Sequence, residues 1–69
     1  MNLKHGDTCH AGHRVYIWTR ETFHTAGHWS HWASLSGLKE AAETARKIAD
    51  SGYGLTYHGE RELETLQLH

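Results

Sequence analysis

A chain of 69 residues with one cysteine and no proline has room for a single hydrophobic core and cannot close an intramolecular disulfide. Seven Lys and Arg stand against eight Asp and Glu, a formal charge of −1 with neutral histidines, and the basic residues are scattered. Neither the basic excess nor the basic stripe of a dedicated nucleic-acid binder is present, which makes nucleic acid an unlikely partner. No apolar run approaches the length of a membrane span, and the first residues lack the apolar stretch of a secretory signal. A cytoplasmic protein with a reduced thiol is the expectation.

Eight residues are histidine, six of them before residue 32, and their full protonation would carry the formal charge from −1 to +7. Residues 1–13 read as an irregular N-terminal segment in which His5, Cys9, His10 and His13 fall close together. Zinc takes four nitrogen or sulfur donors in a tetrahedron, and a loop can wrap to present them. The spacing matches no familiar finger and no H-E-x-x-H motif. A zinc or transition-metal domain built on these four residues is therefore an alternative reading, in which metal and folding would be coupled.

Arg14–Phe23 and His28–Leu35 read as two strands of a hairpin. A loop of Thr25, Ala26 and Gly27, with Gly27 left-handed, sets His24 opposite His28, Arg20 opposite Trp32 and Trp18 opposite Ser34. One face then collects Val15, Ile17, Phe23, Trp29, Ala33 and Leu35. The other collects Tyr16, Trp18, Arg20, Thr22, Ser30 and Trp32. A helix follows. Ser36 is a suitable N-cap, Leu38, Ala41, Ala42, Ala45, Ile48 and Ala49 recur at spacings of three and four, and Gly52 ends it. Its mostly alanine face suits close packing on a sheet.

Tyr53–Tyr57 reads as a third strand and His58–Glu60 as a turn. Arg61–Leu68 reads as a fourth strand, although a short helix fits nearly as well. These elements predict a single α+β domain over residues 1–69, with an antiparallel sheet of three or four strands and one helix on one face. A right-handed crossover through the helix returns the third strand beside the first.

Without a catalytic or phosphate-binding motif, the chain reads as a non-enzymatic protein. Tyr16, Trp18, Arg20 and Trp32, on the sheet face that one helix leaves uncovered, have the composition of an interface hot spot. Glu62 and Glu64, on one side of the last strand, add acidic contacts at its edge. The expected function is a cytosolic protein-binding module that sterically inhibits or regulates a larger machine, with a homodimer as a further possibility. In size and plan it resembles the small anti-CRISPR and anti-defence proteins of phages and mobile elements. That resemblance implies inhibition by surface coverage. A weak nucleic-acid-binding module is the third reading, marked by steep salt dependence.

Overall fold

The computed structural model describes residues 3–66. Strands β1 (Thr8–Ala11), β2 (Arg14–Thr19) and β3 (His28–Ser34) precede helix α1 (Leu38–Ser51), and strand β4 (Tyr57–Glu60) follows it. The sheet runs β3-β2-β1-β4, antiparallel except for the parallel β1–β4 pair. The domain is α+β, with one helix on a four-stranded sheet. The crossover through α1 lands one position farther out than expected, because the N-terminal segment is itself the strand between β2 and β4.

The β1–β2 hairpin turns on Gly12 and His13. Ala11 pairs with Arg14, and Gly12 has φ +60 while among the described residues only glycines have positive φ. That is the pattern of a two-residue turn with glycine in its first central position. The β2–β3 hairpin differs from expectation in register. Trp18 pairs with Trp29 and Thr19 with His28, so the reversal falls at Phe23 and His24 instead of at residues 25–27. Thr22 closes this tip: its amide donates to the Thr25 carbonyl at 2.7 Å, and its hydroxyl accepts from the amides of His24 and Thr25. Gly27 is not left-handed; it is needed for space, because a Cβ there would meet Trp18 Cζ2 at 2.5 Å.

A bulge at Trp32 shifts the pairing, so that Tyr16 faces His31 while Val15 faces Ala33. The extra residue reverses which side chains share a face. The pairing of Trp18 with Trp29, on the tip side of the bulge, sets Trp29 with Tyr16 and Trp18 and not with Val15, while the bulge brings Ala33 to the Val15 side. In β4, the expected strand at residues 53–57 begins only at Tyr57, because Gly54, at φ +71, keeps the chain looped. The expected turn at His58–Glu60 is a bulged strand. Gly59, at φ +81, supplies the extra residue between the Thr8–Tyr57 and His10–Glu60 pairs. Leu63–Thr65 form a 3-10 turn in place of the expected fourth strand, whose last residues, Gln67 and Leu68, lie outside the described residues.

The core has two sides. On the helix side, Val15 packs with Ala41 and Ala45, flanked by Leu35, Ile48 and Tyr57. The alanine stripe lets α1 approach closely enough for the Thr8 hydroxyl to donate to the Ala45 carbonyl at 2.7 Å. Gly37, not Ser36, is the N-cap, with no side-chain hydrogen bond, and Gly52 ends the helix by donating its amide to Ala49. On the far side, Cys9, Ala11, Tyr16 and Trp29 form a second cluster, covered by Leu3, Trp18 and Leu66. Leu3 and Leu66, from the segments before β1 and after β4, thus pack on the sheet face opposite the helix.

Candidate functional site

One end of the sheet gathers three segments. The chain before β1, the β2–β3 hairpin tip and the loop between α1 and β4 meet there through specific contacts. The Gly6 amide donates to the Trp18 carbonyl at 2.9 Å, and the Arg20 amide to His5 Nδ1 at 3.3 Å. Lys4 Nζ donates to the Gly54 carbonyl at 3.3 Å, while Leu55 lies over both Gly6 and Gly52. From this scaffold Phe23 projects with 98% of its surface exposed, and Tyr53 is fully exposed. The only ring packed on Phe23 among the described residues is its neighbour His24, edge-on at 5.1 Å between centroids.

Asp7 ties the end together. Although almost wholly buried, its carboxylate accepts from the amides of Lys4 and Thr56, both at 3.0 Å, and pairs with His58 Nε2 at 2.8 Å. Burial by itself would raise the carboxyl, but the Lys4 amide, His58 and the Thr56 amide together hold it below its ordinary value. The His58 ring in turn stands edge-on to Trp29. Sequence reasoning misses this pair and reads His58 as the start of a turn. No local spacing joins residues 51 positions apart.

The four expected metal ligands are not brought together. Cys9 and His10 are consecutive in β1, so their side chains leave opposite faces of the sheet. Cys9 is sealed in the far-side cluster, where burial pushes its thiol up to about 12, against the pull of Arg61. His10, on the helix side, shares a 2.7 Å hydrogen bond with the Tyr57 hydroxyl, beneath Arg46. His5 lies beside Arg20, and His13 is exposed in the β1–β2 turn. Among the described residues no three His, Cys, Asp or Glu side chains are grouped to hold a metal. The expected neighbours His24 and His28 are also apart: His28 pairs with Thr19 and contacts the Ala26 carbonyl.

The expected aromatic patch is dispersed as well. Tyr16 is 2% exposed and belongs to the core, and Trp18 is half-buried with its ring edge-on to Trp29 at 5.3 Å. Arg20 is exposed beyond the end of β2, while Trp32, 52% exposed, sits at the bulge toward the other end of β3. Arg20 and Trp32 are therefore not cross-strand partners. Glu62 and Glu64 are exposed at the 3-10 turn, and Glu62 lines an open cleft of about 700 Å³ with Glu60, His13, Arg14 and Arg61. No helix among the described residues is long and apolar enough to cross a membrane. Comparison of the chain with protein families, with curated proteins and with solved structures finds no match.

Proposed function

We propose that the chain is a non-enzymatic protein-binding domain whose contact surface is the hairpin-tip end, with Phe23 and Tyr53 as its anchors and Arg20 beside them. One observation carries this reading. Two aromatic side chains that contribute almost nothing to the core are held outward, at the same end, on loops pinned by hydrogen bonds. Pre-ordered aromatic knobs cost little entropy to dock, and they dominate protein interfaces when they enter pockets. The exposed charges on these segments are of both signs, Lys4 and Arg20 with Glu21 and Asp50. Such a surface suits a protein better than a phosphate backbone. Binding of this kind regulates a larger cytoplasmic protein by covering part of it, with no chemical step.

The test is affinity capture on the immobilised full chain with quantitative mass spectrometry, followed by calorimetry on the purified partner. A protein held by the wild type and by Trp32→Ala, but lost with Phe23→Ala/Tyr53→Ala, supports the reading. Equal retention by the double variant, or no specific retention by the wild type, overturns it. Circular dichroism of each variant separates lost binding from lost fold.

A further inference from the structure

The sheet has two edges of different character. β4 has four residues, is interrupted by the Gly59 bulge, and runs into the charged sequence Glu60, Arg61, Glu62. β3, with seven residues, is the longest strand among the described residues, and among them its backbone ladder runs on one side, to β2. It contains no Asp, Glu, Lys, Arg or Pro. Natural edges are usually short, charged or proline-broken, because the outward N–H and C=O groups of a longer edge accept another strand. Here one such protection exists, the bulge at Trp32, and it falls near the end of β3. His28–His31 keep a regular register.

We propose that β3 is an association edge and that a second copy of this chain occupies it, the two β3 strands running antiparallel about a twofold axis to form one continuous sheet. Symmetry and charge choose the occupant. In a twofold antiparallel pair each strand meets its own sequence, so a charged edge strand sets like charges against one another in some registers. β3 carries no formal charge with neutral histidines, and self-pairing meets no such repulsion in any register. A charged foreign strand would gain no ion pair from it. With the axis at His31, each exposed His31 meets its counterpart directly as a ring contact and each half-exposed Trp32 lies diagonal to its own. A chain of 69 residues also belongs to the size range in which a partner subunit commonly supplements the core.

Sedimentation equilibrium of the untagged full chain at neutral pH, from micromolar to submillimolar concentration, tests the proposal. The expected mass at the upper end is twice that of the chain, and His31→Lys, which sets like charges directly opposite, and Trp32→Lys, which sets them diagonally, should each halve it while the circular dichroism is kept. Hydrogen exchange on the wild type gives a readout that needs no variant: protection of β3 amides should rise with concentration. A monomer at every concentration overturns the proposal, as does a dimer that survives both lysine variants or leaves β3 exchange unchanged.

Discussion

The β2–β3 hairpin carries two kinds of aromatic residue. At its base, Tyr16 and Trp29 are buried, with Trp18 edge-on against Trp29 and Leu3 and Leu66 over the cluster. At its tip, Phe23 is almost fully exposed, and the one ring packed on it among the described residues is that of His24. Residue type does not distinguish them. What distinguishes them is whether another part of the chain packs on them: Leu3 and Leu66 lie on the cluster of Tyr16 and Trp29, whereas among the described residues the one ring packed on Phe23 is that of its neighbour His24. Aromatic surface that the fold leaves uncovered is available for binding, whereas the expected patch around Tyr16 is already used.

Mutation should separate the two groups by stability. Truncating Tyr16 to Ala removes the centre of the far-side cluster and should cost about 3–5 kcal/mol, read from urea unfolding followed by tryptophan fluorescence. Gly27→Ala attacks the link between base and tip. Its Cβ collides with the Trp18 ring, and an overpacked contact of this kind should cost roughly 1–3 kcal/mol; a changed native fluorescence spectrum would show that the ring has moved.

Acid tests the clamp that holds the tip end to the sheet. The Asp7 carboxyl lies below its ordinary 3.8 when folded. The stability this contributes is fully present above that ordinary value and is lost as pH falls through the lower folded value. Melting temperature should therefore drop across that acid range, and Asp7→Asn should flatten that part of the profile while lowering stability at neutral pH.

The smallest effect belongs to the tip. Phe23→Ala should change stability by no more than about 0.5 kcal/mol, as exposed positions do. A larger loss in the same urea titration would mean that Phe23 is packed in solution and would remove the contrast. Ser36→Ala should be equally mild, since the helix starts at Gly37 without a side-chain cap.

Much of the fold is legible in the sequence. The alanine periodicity of α1 and its end at Gly52 are local signals, and so are the central parts of β2 and β3. β1 is harder to see, because His10 and Cys9 read as ligands. Its signal is the Gly12–His13 pair between two short runs of strand-forming residues, which marks a two-residue turn. The candidate site is legible only in composition. Phe23 reads as a core residue because a loop of Thr25, Ala26 and Gly27 places it on an apolar strand face. Moving the turn to Phe23–His24 takes it out of the sheet.

The sequence by itself determines the α+β class, one helix with a small-residue face and a hairpin before it, because these follow from periodicity and from propensities acting over a few residues. Only the tertiary structure decides the register of β2 on β3, the insertion of β1 between β2 and β4, and the joining of Asp7 to His58. Register depends on which side chains pack across the sheet. A single bulge at Trp32 is enough to exchange the two faces of β3, and no local preference fixes where it falls.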